Sequence, residues 1–282
     1  MNEDLFLVDH HVHTIYSGHS GPGMTIGRII HEAQSHGLTR IVILEHAPGI
    51  GADVREGVLA GTHKARDTLR AHLDAILEER DLWTDRTPMR VLVGAEVDPD
   101  PVHMNGDLLL DDLAGMDLVL AGFHYLPGAR GLWFDAVTWT DDQRTAMYAE
   151  WFPWAMRVAA NPQVDVIAHP GLALARAGGI DRFSGRVLQD FEKLFQVCAR
   201  HGTAIELNES LRAKFSPAQA HSYEDLLALA RDTGVALSVA SDAHALAQLG
   251  RYRWVRGLVS RLGLTEEHMI HPRAQRRREA RA

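Results

Sequence analysis

Short apolar runs alternate with longer amphipathic stretches along nearly the whole chain. The short runs are rich in Val, Ile, Leu and Ala, which is typical of parallel strands that are buried on both faces. Strands that alternate with helices indicate βα units and a largely parallel sheet. The pattern predicts seven strands: Leu5–Val8, Arg40–Leu44, Arg90–Val97, Leu118–Phe123, Val164–Ala168, Thr203–Leu207 and Val235–Ala240.

Amphipathic helices are predicted in most of the intervals between these strands. The clearest covers Gly61–Asp81, where leucine or isoleucine stands at positions 69, 73, 76 and 77. This spacing places the apolar side chains in one stripe, as in helices that pack against a core. The other predicted helices are Ile26–Ser35, Asp141–Ala160, Gly185–Arg200, Tyr223–Thr233 and Gln248–Leu262.

The chain shows no internal repeat, low-complexity linker or compositional break that would divide it. Its 282 residues fit one α/β barrel, since such barrels commonly run to about 250 residues. We therefore predict one barrel domain over residues 1–271, followed by a basic tail over residues 272–282. Residues 98–117 and 126–139 contain Pro and Gly and are predicted as long loops, which often shape a functional site.

Charge and cysteine content narrow the classes of function. The formal net charge is −8 and the pI is about 6.1, so charge alone would not hold this chain to nucleic acid. The arginine-rich tail is either a solvated chain end or a nucleic-acid contact. The single cysteine, Cys198, is expected to be a buried thiol, which fits a reducing compartment. Neither a signal-peptide pattern nor a long apolar run occurs, so we predict a cytoplasmic protein without a membrane partner.

Histidine is frequent, with 17 residues, and many of them stand where a predicted strand ends. The carboxyl ends of parallel barrel strands converge on one face, which carries the active site in essentially every such enzyme. Nine side chains that offer a nitrogen or oxygen ligand are therefore expected to meet there. They are His11, His13, His19, His46, Glu96, His124, His169, Asp242 and His244.

These nine side chains form a candidate metal site. His11 and His13 are two residues apart and so share a strand face, whereas His10 is expected on the opposite face. Seven imidazoles and two carboxylates exceed the four ligands of one tetrahedral ion, so two or three divalent ions are expected. Nitrogen and oxygen donors without thiolate suit Zn, Mn or Fe.

Other polar residues near the strand ends are candidates for supporting roles. Asp9 is predicted to share the strand face of the ligand-type histidines that follow it and to orient an imidazole. Glu206 and Asn208, which end the sixth strand, either do the same or belong to hydrogen bonding in the core. Asp98 is a candidate proton donor to the leaving group.

The ordered set of ligand-type residues, from His11 to His244, resembles the polymerase and histidinol phosphatase family, abbreviated PHP. The resemblance implies a distorted barrel of seven βα units with a trinuclear metal site. It also implies how the ions share the side chains. The first ion takes His11, His13, Glu96 and Asp242, Glu96 bridges to a second ion held by His124 and His169, and the third takes His19, His46 and His244.

Within that family, the strings EHAP, HYL and SDAH look like those of histidinol phosphatases. The stretch LNESLR is similar to the one in which those enzymes carry a phosphate-binding arginine, which makes Arg212 the first candidate for a substrate contact. Arg176 is the second, because a guanidinium can bind phosphate through two hydrogen bonds. The segment PGLALARAGG looks more like broader phosphatases of the family. Trp133 and Phe134 are candidates to stack on a planar substrate group.

Together, these features predict a metal-dependent phosphatase that hydrolyses small phosphate monoesters, with L-histidinol phosphate as the best single substrate. Bound dications would leave the site positive and lower the pKa of water, so an acidic chain could hold and attack a phosphate dianion. Glu96, His169 and Asp242 are the predicted catalytic residues. The alternatives are a broad-specificity phosphoesterase, a nuclease or cyclic-phosphate diesterase, and an amidohydrolase without phosphate chemistry. The sequence leaves the oligomeric state open.

Overall fold

A computed structural model describes residues 3–48, 52–61, 66–110, 112–113, 115–134 and 139–270. Seven parallel strands form one sheet, in the order in which they occur along the chain. They are β1 Val8–His13, β2 Arg40–Ala47, β3 Arg90–Val97, β4 Leu118–Ala121, β5 Val166–Ile167, β6 Ala204–Asn208 and β7 Leu237–Ala240. The sheet curls until the backbone N–H of His13 donates to Ala243 O at 3.0 Å. The predicted distorted α/β barrel is therefore confirmed.

Helices cover the outside of the barrel and alternate with most of the strands. They are α1 Ile26–Ser35, α2 Ala52–Leu59, α3 Arg66–Thr84, α4 Asp141–Ala159, α5 Leu172–Arg176, α6 Arg186–His201, α7 Leu211–Lys214, α8 Pro217–Thr233 and α9 Arg253–Leu262. Among the helices that the structure describes, none combines the length and the apolar character that crossing a bilayer requires.

Strand side chains alternate between an inner and an outer apolar core. The inner core fills the barrel and consists of Val42, Leu44, Leu92, Leu118, Leu120, Val166, Ala168 and Ala204. The outer core lies between the strands and the helices and includes Ile41 and Val93. Residues two apart share a strand face, so the inner positions of β2 and β3 continue toward the strand ends as His46 and Glu96.

The predicted bounds agree with the structure where the apolar pattern is uninterrupted. The bounds of β3 and α1 are those predicted. The prediction for the first strand is wrong, because β1 is Val8–His13 rather than Leu5–Val8 and a 3-10 turn occupies Glu3–Phe6. The polarity of Asp9–His13 hid this strand, although all five side chains are buried.

Several helices were missed or shortened by the apolar pattern. The helices α5 and α7 are too short to show a helical period, and α2 was not predicted either. The helix α8 begins at Pro217 rather than Tyr223, because Ser216 accepts a hydrogen bond from the backbone N–H of Gln219 and Pro217 takes the first helical position. This capping signal is visible in the sequence.

Two predictions fall on residues outside the described ranges. The basic tail, residues 272–282, and the domain boundary in front of it lie there and stay predictions. Leu73 and Ile76 of the predicted helical stripe are fully buried, and the structure does not describe the side chain at position 69.

Gly94 of β3 offers a test of the packing between the inner core and the strands. A Cβ atom at this position would overlap Leu118 O and Leu44 Cδ2. Because overpacking a core costs about 1–3 kcal/mol, we expect Gly94→Ala to lower the Tm measured by thermal denaturation. In the control Gly257→Ala, the Cβ meets only the flexible Arg261 side chain, at 3.1 Å. Equal Tm values for the two variants would contradict the expectation.

Candidate metal centre

The nine predicted ligand-type residues lie together at the carboxyl ends of the strands. They stand on or after β1 (His11, His13, His19), β2 (His46), β3 (Glu96), β4 (His124), β5 (His169) and β7 (Asp242, His244). All are buried except His19, which is exposed, and His244, which is half-buried. The barrel therefore brings side chains from most of the length of the chain into one cluster, as the sequence predicts.

A β-bulge in β1 changes which side chains face this cluster. The register of β1 against β2 shifts between Asp9 and Val12, so two residues of β1 stand opposite one residue of β2. Asp9, before the bulge, accepts hydrogen bonds from the backbone N–H groups of Ser241 at 2.9 Å and Gly250 at 3.2 Å. The prediction that Asp9 orients a ligand imidazole is wrong, because the bulge turns it away from the ligand-type histidines.

The bulge also places two consecutive histidines inside the barrel. His10 Nδ1 lies 3.1 Å from Ser238 Oγ, and His11 Nδ1 lies 2.7 Å from Glu206 Oε1. Ser238 and Glu206 are register partners on neighbouring strands and therefore share a face of the sheet. The prediction that His10 faces away from His11 is wrong, because strict alternation fails at a bulge.

Four side chains surround the first candidate metal position. His11 Nε2 and His13 Nε2 are 2.9 Å apart. Glu96 Oε2 lies 3.3 Å and 3.5 Å from these nitrogens, and Asp242 Oδ1 lies 3.7 Å and 3.6 Å from them. Ligand atoms about 2.0–2.2 Å from a tetrahedral zinc ion would be separated by about 3.3–3.6 Å. The spacing therefore suits one ion, and the four residues are those that the PHP resemblance implies.

Glu96 is also the centre of a second group. Its Oε1 lies 2.7 Å from His169 Nε2 and 3.4 Å from His124 Nε2. Its Oε2 lies 2.9 Å from His46 Nδ1. The two oxygens thus face different sets of imidazoles, an arrangement that suits a carboxylate shared between two ions.

A third group lies toward the rim of the barrel. Ligand atoms of His13, His46 and His244 are close enough to one another to hold an ion. The ring centroid of His19 lies 4.5 Å from that of His244 and 5.0 Å from that of His46. The structure therefore brings His46 and His244 of the expected third set together with His13 and places the ring of His19 beside them.

Buried polar atoms without hydrogen-bond partners concentrate in this cluster. In the described part of the chain they include Nδ1 of His13, Nε2 of His46 and Nε2 of His244. Leaving a buried polar atom unsatisfied costs about 1–3 kcal/mol. Divalent cations would pair with these lone pairs, so the residues fit a polynuclear metal site.

Local backbone geometry holds two of the predicted ligands. His169 and Asp242 have φ values of 30° and 56°, in the left-handed region that non-glycine residues rarely adopt. Such conformations cluster at functional sites. A glycine is needed at position 122, because a Cβ atom there would lie 2.6 Å from Glu96 Oε1.

Two buried carboxylates orient imidazoles from outside the cluster. Glu206 contacts His11 and also accepts a hydrogen bond from the backbone N–H of His169 at 2.6 Å. Asp98 Oδ2 lies 3.1 Å from His124 Nδ1, and its Oδ1 accepts from the backbone N–H of His124 at 2.8 Å. Contacts of this kind fix the tautomer and ring orientation of a metal-binding histidine. Asp98 is fully buried, so the predicted role as a proton donor to a leaving group does not fit its position.

Burial and charge set the protonation of the cluster. Burial raises the pKa of Glu96, but the neighbouring imidazoles, led by His124, outweigh it and hold the pKa well below its usual range. Burial lowers the pKa of His46 and takes the pKa of His244 to about 4. Burial lowers the pKa of His124, but the Asp98 and Glu96 carboxylates outweigh it and raise the pKa to about 9. Because divalent cations bind ionised carboxylates and neutral imidazoles, Glu96, His46 and His244 are already in the binding form, whereas His124 would release a proton on binding.

Lys214, which sequence reasoning missed, contacts the cluster directly. Its Nζ donates to Asp242 Oδ2 at 2.7 Å, and Ser210 Oγ donates to the same oxygen at 2.7 Å. Burial lowers the pKa of Lys214, but the Asp242 carboxylate outweighs it and raises the pKa above its ordinary value. Arg212, on the same short helix, is exposed, and its side chain contacts none of the described ligand-type residues. A basic residue soon after β6 was the available signal, but the unpredicted helix α7 hid it.

Arg176 and two aromatic residues extend this side of the cluster. Arg176 Nη1 donates to Lys214 O at 3.3 Å, and its guanidinium lies 5.4 Å from the centre of the Trp133 ring. The backbone N–H of Trp133 donates to His124 O at 3.0 Å. Phe134 stands edge-on to Trp133 and is 43% exposed. Basic and aromatic side chains therefore border the cluster together.

The parallel strands, with imidazoles and carboxylates gathered at the strand ends, define an α/β barrel whose clustered side chains could hold metal ions. The family model described as the PHP domain matches residues 9–210. The chain therefore belongs to the PHP domain family, and the resemblance seen in the sequence is confirmed.

Related proteins cover nearly the whole chain. A protein of Thermoanaerobacter sp. (strain X514), named a probable phosphatase, is 26% identical over 269 residues, which span 94% of this chain and 90% of the relative. A probable phosphatase of Photobacterium profundum is 25% identical, over 94% of this chain and 89% of the relative. The crystal structure of histidinol phosphate phosphatase from Lactococcus lactis, complexed with zinc, L-histidinol and phosphate, has the same fold. It shares 17% identity with a TM-score of 0.62 and covers 92% of this chain and 94% of that chain.

The contact between Asp98 and His124 predicts a change in metal affinity. We expect Asp98→Asn to weaken zinc binding by about 10- to 100-fold, because the imidazole loses the carboxylate that orients it. A competition titration of the metal-free protein against a chromogenic chelator measures the effect. Asp107→Asn, an exposed change in the same loop, is the control. An affinity equal to that of the unchanged protein would contradict the role of Asp98.

Proposed function

We propose that this chain is a metal-dependent phosphatase that hydrolyses small phosphate monoesters. The observation that carries the proposal is the convergence of seven imidazoles and two carboxylates at one end of the barrel, beside the charged amine of Lys214. Relatives that are named phosphatases and a histidinol phosphate phosphatase of the same fold support the reaction class.

In this proposal the cluster holds two or three ions. The first is bound by His11, His13, Glu96 and Asp242, and Glu96 and the remaining imidazoles bind the others. When bound, divalent ions lower the pKa of water and neutralise negative charge on a phosphoryl group. Zn, Mn and Fe are the candidates, since all accept nitrogen and oxygen donors.

The protein's own groups would prepare the site for a phosphate ester. Glu206 and Asp98 keep the imidazoles of His11 and His124 in fixed orientations. Lys214 would donate to a phosphate oxygen from its position beside Asp242. Arg176 would approach the same side of the substrate, because it contacts the backbone of Lys214. These groups supply local positive charge in a chain whose net charge is −8.

L-histidinol phosphate is the substrate that we propose. Its phosphate would lie at the metal cluster and Lys214, and its planar imidazole would face Trp133 and Phe134. Aromatic rings attract one another in stacked and edge-on arrangements, and the exposed face of Phe134 is available for such a contact. The presence of L-histidinol and phosphate in the Lactococcus lactis structure supports this choice.

Phosphate release tests the proposed reaction. The protein loaded with Mn or Zn is expected to release inorganic phosphate from L-histidinol phosphate, and excess chelator is expected to stop it. His169→Ala should lower kcat by more than about 100-fold, because losing a ligand costs more than losing an outer partner, which costs about 10- to 100-fold. His103→Ala, an exposed histidine paired with Asp100, is the matched control. Phosphate release that persists both in excess chelator and in the His169→Ala variant would contradict the proposal.

Kinetics can also decide which basic side chain meets the phosphate. Lys214→Gln is expected to weaken inhibition by inorganic phosphate by about 10- to 100-fold, because it removes a charge-assisted hydrogen bond. Arg212→Gln is expected to change the inhibition constant little, since this side chain is exposed. The reverse order of effects would return the phosphate contact to Arg212, as the sequence predicts.

A further inference from the structure

A cavity lies at the opposite end of the barrel from the metal centre, in the seam between β1 and β7. Its volume is about 310 Å³, which falls within the range of small-molecule sites, about 300–1,000 Å³. At their carboxyl ends the two strands bond through Ala243. At the amino end of β7, Met269 pairs with Leu237. At the amino ends of β1 and β7, the segment 266–270 therefore forms the outer wall of the cavity between the two strands.

The lining of this cavity combines an apolar wall with groups of both charges. The start of β1, the start of β7 and the segment 266–270 supply most of the apolar surface. Arg40 supplies the positive charge. Glu266, which is exposed, supplies negative charge at the rim. The cavity is therefore complementary to a small molecule that has an apolar body and one charge of each sign.

Arg40 is a charged part of the lining that has an unsatisfied donor, and His10 Nε2 is a second buried polar atom of the lining without a hydrogen-bond partner. The Nε atom of Arg40 is buried without a hydrogen-bond acceptor, and Arg40 makes no ion pair with any residue that the structure describes. Its register partner on β3 is another arginine, Arg90. Burial and the charge of Arg90 both lower the pKa of Arg40. A carboxylate would relieve both effects, because a guanidinium binds it through two parallel charge-assisted hydrogen bonds.

We infer that this cavity is a second ligand site, which binds a free α-amino acid with an apolar side chain, of the size of leucine or methionine. The carboxylate of the amino acid pairs with Arg40, its ammonium group faces the acidic rim, and its side chain packs against Val8 and Met269. A simple carboxylate would lack the group that meets the rim. A simple amine would lack the group that meets Arg40. The inference does not depend on the phosphatase proposal, since it concerns the other end of the barrel.

Calorimetric titration of the metal-loaded, full-length protein tests this site. We expect saturable binding of one L-leucine or L-methionine per chain. The matching acid and amine, 4-methylpentanoate and 3-methylbutylamine, should bind at least about 10-fold more weakly, because each loses one charge-assisted contact. The absence of saturable amino-acid binding would overturn the inference, and equal affinity for the acid or the amine would overturn the choice of a zwitterion.

Variants locate the binding. Arg40→Gln should weaken it by about 10- to 100-fold, whereas Arg200→Gln, an exposed change outside the cavity, should leave it unchanged. Met269→Trp should fill the cavity and abolish binding, which provides a second test if Arg40→Gln fails to fold.

The Glu96→Ala variant, which changes the metal centre, should bind the amino acid as before. Loss of binding in Glu96→Ala would place the amino acid on the metals instead, and full binding by both cavity variants would place it elsewhere, so either result would overturn the inference.

Discussion

Glu96 lies fully buried among imidazoles from four neighbouring segments of the barrel, and its negative charge has to be compensated inside the protein. An ionised carboxylate in such a place is stable only when it is paired. Its two oxygens face different groups of histidines, and Asp242 adds a second buried carboxylate beside them. Cations held between these groups would supply the missing charge and would occupy the lone pairs that the chain leaves without hydrogen bonds. The other residues of the site are arranged so that the buried negative charge of Glu96 can be compensated.

The strands of the barrel supply apolar side chains to the inner core along one part of their length and site residues at their carboxyl ends. The amino-terminal halves of β2 and β3 carry apolar side chains into the inner core, and the same strand faces end in His46 and Glu96. Local irregularities occur where candidate ligand atoms face the cluster: the bulge in β1 and the positive φ values of His169 and Asp242. Such features cost stability and persist where the surrounding structure fixes them. Glu206 and Asp98 then hold the imidazoles in place from behind.

Much of this organisation can be predicted from the sequence, because two periodicities dominate it. The apolar runs predict the bounds of β3 and α1. Because the carboxyl ends of parallel strands converge, the positions of the nine ligand-type residues along the chain are enough to predict that they lie together. The first strand is misplaced because its polar residues are buried, which reverses the usual relation between polarity and exposure. The predicted strand faces of Asp9 and His10 are wrong, because the extra residue in the bulge changes the alternation of side chains relative to the residues that follow. Lys214 is missed because a helix of one turn leaves no periodic signal, while the neighbouring Arg212 matches a familiar string.

The central claim is that these imidazoles and carboxylates hold divalent metal ions together. X-ray diffraction from crystals of the zinc-loaded protein, recorded on both sides of the zinc absorption edge, tests it most directly. We predict anomalous peaks at two or three positions, one bounded by His11, His13 and Asp242 and another beside Glu96 and His169. Each ion should lie about 2.0–2.2 Å from its nitrogen and oxygen ligands. A map with no peak within reach of Glu96 would contradict the claim.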